Sequence, residues 1–289
     1  MLQTKEPFPY QSRRSFCRIA SKILAFACTL AAMAALVMLF FIVSYMVVKG
    51  IGSMDLAFFT NLPLETPMGM RNCIVGTGIL VGLAGLFGVP LGMLCGIYLN
   101  EYVGKGWFTL AIRLIMDVLA GTPTIILGVV CYELIVVPQK HFSGWAGAIA
   151  LALIMIPIVA RATEEMLRLV PATIREASAG LGASKAQTLL RVVLPAAKSG
   201  IATGILLAVA RVAGETAPLL FTALGNSNEV YNPNKPYPSL TIQIFNYSQS
   251  AEPAWRHQAW TAVLVLVAMI LVFSAAVRLA VRGKKISRI

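Results

Sequence analysis

Ala210-Arg211-Val212-Ala213-Gly214-Glu215-Thr216-Ala217-Pro218-Leu219-Leu220 lies inside an apolar stretch, Gly200 to Leu224, long enough to cross a bilayer. An ionised side chain at membrane depth costs roughly 2.5 to 3.5 kcal/mol on insertion scales, so it is expected to be paired, to face a protein interior and to serve a pathway. Arg211 and Glu215 are four residues apart, which puts both on one face of a single helix. The guanidinium stays charged and its planar fork matches an oxyanion bidentately, so Arg211 can hold an anion transiently while Glu215 offers an alternative partner. The competing reading is a pair that only locks helices together, although a buried ion pair gives little net stability.

The rest of the chain has the same membrane character. Hydrophobic residues make up 58% and charged residues only 12%, against about 25% charged in ordinary soluble domains. Apolar runs at Ile23–Val48, Ile74–Leu99, Leu110–Val137, Trp145–Ala160, Gly200–Leu224 and Trp260–Val281 predict an all-α polytopic membrane protein with six transmembrane helices. A polar tail over 1–22, partly disordered or lying at the lipid surface, would precede one transmembrane domain over 23–289. The first run is too long for a signal-peptide core and is expected to stay as an anchor. With six spans, 18 of the 24 basic residues fall on the side that holds both termini and the long loop 161–199, which makes that side cytoplasmic. The net charge of +12 therefore reads as membrane topology and not as nucleic-acid binding. Cys17, Cys28, Cys73, Cys95 and Cys131 have no ligand spacing, so neither a disulfide framework nor a metal site is expected.

Local signals add detail. Gly78, Gly82, Gly85, Gly88, Gly92 and Gly96 in the second run have the spacing that lets a neighbouring helix approach closely, with direct contact to a transported solute as the alternative. Gly121-Thr122-Pro123 should kink or unwind the third span, because Pro123 removes a backbone donor. Asp117 and Glu133 in that span are read as solvated near segment ends or the kink. The outer loop, Gly225 to His257, contains the turn-rich run Tyr231 to Pro238; it is either plain connection or a docking surface for an external protein. Arg161, Glu164 and Glu165 stand where a span meets the long loop. They are either part of the substrate pathway or a solvated helix end.

Within that loop, Pro171 opens a helical segment that ends near Gly182, and Ser184-Lys185-Ala186-Gln187 matches a capping box that opens a second helix running to Leu194-Pro195. Glu176-Ala177-Ser178, with Gly182 six residues after the glutamate and Val192 ten further, resembles the EAA loop of ABC importer permeases, with Ser178 in place of the usual third alanine. The resemblance implies a coupling helix lodged in a cleft of a cytoplasmic ATPase, with Glu176, Ala177, Ser178, Gly182, Leu194 and Pro195 as the coupling residues. The chain has no G-x-x-x-x-G-K-[ST] phosphate loop. ATP hydrolysis would belong to the partner.

Pro157 to Leu167, Val170 to Ala177, Gly121-Thr122-Pro123 and above all Ala210 to Leu220 resemble the A-type permease subunit of the bacterial phosphate-specific ABC importer. The likeness runs from about the second span to the C-terminus. It implies a type I ABC importer permease fold, residence in the bacterial inner membrane, and no enzymatic activity or cofactor of its own. It also implies a second homologous permease, an ATPase homodimer, a periplasmic phosphate-binding protein and inorganic phosphate as partners. Arg211, Glu215, Arg161, Glu164, Glu165 and Thr122 are then the substrate-pathway residues. A permease for sulfate or molybdate would share these features. An ion-coupled secondary transporter would need inverted repeats, which are not found, and an intramembrane enzyme would need a base where His141 and His257 are both outer-loop residues.

Overall fold

The computed structural model describes the backbone of residues 10–102 and 106–282, and side chains within 17–102 and 106–279. Lys5, Lys105, Lys284, Lys285 and Arg288, which entered the charge count above, lie outside the described residues. The chain divides into two units, Met1–Lys49 and Gly50–Ile289. The first consists, from Tyr10 onward, of the helix α1 (Tyr10–Ile51). Residues 10–22 are helical, in place of the partial disorder that was one expectation for them.

In the second unit, α2 (Leu56–Thr60) is capped by Asp55, whose carboxylate accepts from the Phe58 amide at 2.9 Å. Next come α3 (Arg71–Ile97), which ends in a π-helical turn Tyr98–Tyr102, and α4 (Trp107–Gly121). A bend of 105° separates α4 from the helical segment Thr124–Gln139. That segment comprises α5 (Thr124–Cys131), a π turn Tyr132–Val136 and α6 (Val137–Gln139). The expected interruption at Gly121-Thr122-Pro123 is therefore a sharp corner. The Thr122 amide and hydroxyl both donate to the Val118 carbonyl, at 2.9 and 2.6 Å, and close the end of α4.

α7 (Gly144–Arg168) is the axis of this unit, with 67% of its apolar window buried against 17 to 28% for the spans at Arg71–Tyr102, Lys185–Ala213 and Pro253–Leu279. Its composition explains this. Gly144, Ala146, Gly147, Ala148, Ala150 and Ala152 let neighbours approach from several sides. The main core joins Leu80, Ala84, Leu151, Met155, Val159, Ala208, Val212 and Leu219. A second cluster, at the end carrying Phe58, Cys73, Leu240 and Tyr247, ties the start of α3 to the last two helices.

The hairpin α8 (Ala172–Gly180) and α9 (Lys185–Thr188) follows at the other end. α9 passes through a π turn, Leu189–Val193, into α10 (Leu194–Ala213), so that Lys185–Ala213 is one continuous apolar helix. This corrects the expected span Gly200–Leu224 at both ends. The helix does not stop at Pro195, because the π turn before it opens the backbone where the proline ring would meet the carbonyl of Arg191. At the far end, Gly214 caps α10 and the chain breaks before α11 (Ala217–Thr222). α5 and α11, the second pieces of the two broken helices, pack closely: a Cβ on Gly128 would lie 2.6 Å from Pro218 Cα.

The segment after α11 is irregular through the turn-rich run, as expected, but it is held down. Asn72 Nδ2 donates to the carbonyls of Asn226 and Asn228, and Arg71 pairs with Glu229 at 2.7 Å. The Tyr231 hydroxyl donates to Glu229, which raises the phenol pKa. Ser239 then caps α12 (Leu240–Ser248), and α13 (Pro253–Arg282) begins seven residues before the predicted Trp260. The predicted 33-residue outer loop thus holds the whole of α12 and the first turn of α13.

Candidate functional site

Three groups of predicted residues can be located. The first lies between α4 and α7. These helices run antiparallel, so Arg113 and Asp117, four residues apart on α4, face Glu164 and Arg161, three apart on α7. Arg113 Nη2 donates to Glu164 Oε1 at 2.6 Å, and Arg161 Nη2 donates to Asp117 Oδ1. The crossed pairs line a cavity of about 350 Å³ together with Leu99, Met116, Glu165 and Arg168. Arg161 and Asp117 are more than half exposed, whereas Glu164 is largely covered. Asp117 is therefore an ion-pair partner and not merely a solvated residue near the kink.

The second group stands at the break between α10 and α11. Arg211 Nε lies 3.8 Å from Glu215 Oε1, a loose pair, with side chains 57% and 16% exposed. Glu215 is outside the helix that carries Arg211, so the contact arises from the turn at Gly214 and not from one continuous helix face. The Glu215 amide donates to the Val212 carbonyl, and the Thr241 hydroxyl donates to the Glu215 carbonyl at 3.1 Å, so the broken backbone is hydrogen-bonded. Arg211 and Arg161 stand at different levels. A Cβ on Gly204 would fall 2.3 Å from Ala162 Cβ, which fixes the height of Arg161 on α10. Arg211 is seven residues beyond Gly204, or about 10 Å along the axis at 1.5 Å per residue. Thr122, whose hydroxyl is engaged within its own chain turn, joins neither cluster by a hydrogen bond.

The third group is the α8–α9 hairpin. Gly182 has φ +81°, its amide donates to Ala179 O, and the Ala183 amide donates to Ser178 O, a Schellman closure of α8. Ser184 and Gln187 form both halves of the predicted capping box. The Ser178 and Thr188 hydroxyls lie 2.8 Å apart and join the two arms. Glu176, Ala177 and Gly182 remain exposed, and Leu181 is 90% exposed. Leu194 instead packs on the cluster of Leu167, Val170, Leu189, Val193, Ala197 and Ile201 that roots the hairpin in the bundle. Pro195 sits in the first turn of α10.

The glycine stripe divides. Cβ atoms on Gly88, Gly92 and Gly96 would fall within 3.0 Å of α7 atoms, so these positions serve helix packing. Gly78, Gly82 and Gly85 face open space and line an apolar groove of about 330 Å³ with residues of α10 and α13.

Sequence reading missed the roles of Arg113, Asp117, Glu101 and Arg175. The first two carried the same signal as Arg211 and Glu215: opposite charges four apart in an apolar run. Glu101, which bonds Arg175 across 74 residues of sequence, carried no local signal.

Comparison with known proteins identifies the family and the fold. Residues 88–285 match the family of binding-protein-dependent transport system inner membrane components. The chain is 44% identical over 242 residues to the phosphate transport system permease protein PstA of Yersinia pestis, covering 83% of this chain and 82% of that one. The PstA of Pasteurella multocida is 36% identical over 269 residues, 91% of this chain and 95% of its own. The probable PstA of Methanocaldococcus jannaschii is 38% identical over 273 residues, 91% and 94%. In fold, the chain superposes on a methionine ABC transporter structure with a TM-score of 0.62 at 21% identity, covering 78% of this chain and all of that one. For a bacterial alginate ABC transporter the TM-score is 0.66 at 14% identity, covering 94% and 100%. With its type I ABC importer permease fold, the chain belongs to the PstA family of phosphate transport permease proteins.

Proposed function

We propose that this chain forms half of the translocation pathway of an ATP-driven phosphate importer. A homologous second permease supplies the other half, an ATPase homodimer docks on the α8–α9 hairpin, and a periplasmic phosphate-binding protein delivers the anion. One observation carries this reading: Arg211, Arg161 and Asp117, all on apolar spans, are each more than half exposed on the single chain. Charges at membrane depth do not face lipid, so this surface calls for a second subunit enclosing an aqueous path. The distribution of basic residues supports cytoplasmic termini and a cytoplasmic hairpin. The anion would then meet Arg211 first and Arg161 second.

Both arginines are already engaged by carboxylates. Glu215 at 3.8 Å competes weakly for Arg211, which leaves most of its five N–H donors for an oxyanion. At the inner station, Asp117 must be displaced from Arg161, and Glu164 and Glu165 repel the arriving anion. Partner exchange of this kind makes each stop weak enough to leave. Reconstitution of the complete importer tests the reading: phosphate-loaded binding protein should stimulate ATP hydrolysis and drive phosphate uptake, whereas sulfate and molybdate should do neither. Stimulation and uptake with either of those anions, and not with phosphate, would assign the pathway to another oxyanion.

A further inference from the structure

We propose that Glu101 is the joint through which displacement of the hairpin reaches the charged cavity between α4 and α7; this rests on the coupling role of the hairpin proposed above. Glu101 lies in the π turn that ends α3, and its side chain is only 9% exposed. Both arms of the hairpin fasten to it. From α8, Arg175 Nη1 donates to Glu101 Oε1 while Nη2 donates to the Leu167 carbonyl at the end of α7, at 2.8 Å. From α9, Lys185 Nζ donates to the Glu101 carbonyl and stands 4.6 Å over the Tyr102 ring. Asn100 Nδ2 adds a bond to Glu101 Oε1 at 2.7 Å.

The planar fork of Arg175 holds two helix ends in fixed geometry, so a movement of α8 carries the end of α3 with it. α3 in turn cannot slide freely on α7. Cβ atoms on Gly92 and Gly96 would lie 2.7 Å from Val159 Cβ and 2.5 Å from the Ala160 carbonyl, so the two backbones are in direct contact. Arg161, which holds Asp117, is the next residue. Hairpin, Glu101, α3, α7 and Arg161 thus form one contiguous mechanical train.

In the complete importer reconstituted in vesicles, Glu101→Gln and Arg175→Gln should each keep the ATPase bound on co-purification. Phosphate imported per ATP hydrolysed should fall on the order of tenfold in each, and the double variant should fall no further, because the two residues act through one another. Normal import per ATP in Glu101→Gln would overturn the joint, as would single effects that multiply in the double variant. Loss of the ATPase from either single variant would also overturn it, since Glu101 would then support docking and not transmission. Gly182→Val, which forces a β-branched residue into a left-handed turn, should lose both ATPase binding and import. If that variant is impaired and Glu101→Gln is not, only the joint fails; if Gly182→Val is itself normal, the coupling role of the hairpin fails.

Discussion

At Arg211 we propose the pathway role over the structural one because its pair with Glu215 is loose. A guanidinium locked for structure would sit in a short, covered pair, but this one is 3.8 Å from its partner and more than half exposed. Arg211→Lys keeps the charge and loses the fork, so phosphate uptake should fall by one to two orders of magnitude, and Arg211→Gln should abolish it. Arg211→Gln combined with Glu215→Gln removes both charges and leaves no uncompensated carboxylate. That double variant should still assemble and still fail to transport; recovery of uptake would reduce Arg211 to a structural partner. The Arg211–Glu215 contact was legible because charges in an apolar run announce themselves. Arg113 and Asp117 carried the same signal, but only the packing of α4 on α7 reveals that Arg113 faces Glu164.

Among the helices, legibility followed the strength of backbone chemistry. Gly182 and the Ser184–Gln187 box set the hairpin correctly, since a left-handed glycine and a reciprocal cap are local features. The corner at Gly121-Thr122-Pro123 was legible for the same reason. The break after Ala213 obeys the same rule, with Gly214 ending one helix and Pro218 in the first turn of the next, but the apolar run across it hid the interruption. Conversely, Pro195 does not stop its helix, because a π turn precedes it and makes room for the ring. Which glycines touch a neighbour cannot be read from spacing. Gly96→Val should destabilise the purified chain by about 1 to 3 kcal/mol through overpacking against α7, whereas Gly82→Val, which meets open space, should be near neutral. Thermal unfolding in detergent distinguishes them, and equal losses would contradict the α3–α7 contact.

For the whole molecule, the membrane class and helix count were legible because bilayer thickness fixes the length of an apolar span. The structure supplies five such helices and one bent pair among the described residues. Orientation is checked by labelling. A cysteine replacing exposed Asn234 should react with an impermeant thiol reagent from outside the cell, and one replacing exposed Ala186 should react only after the membrane is opened; the reverse pattern would invert the topology. The crossed pairs between α4 and α7 have a further consequence for this orientation. Arg113, Arg161 and Arg168 share their cavity with Asp117, Glu164 and Glu165, so its formal charges cancel. Moving one elementary charge through 100 mV is worth about 2.3 kcal/mol, but a neutral cluster moving as a body carries no net charge through the field. A rigid displacement of this neutral cluster therefore adds no voltage term of its own to that borne by a passing anion.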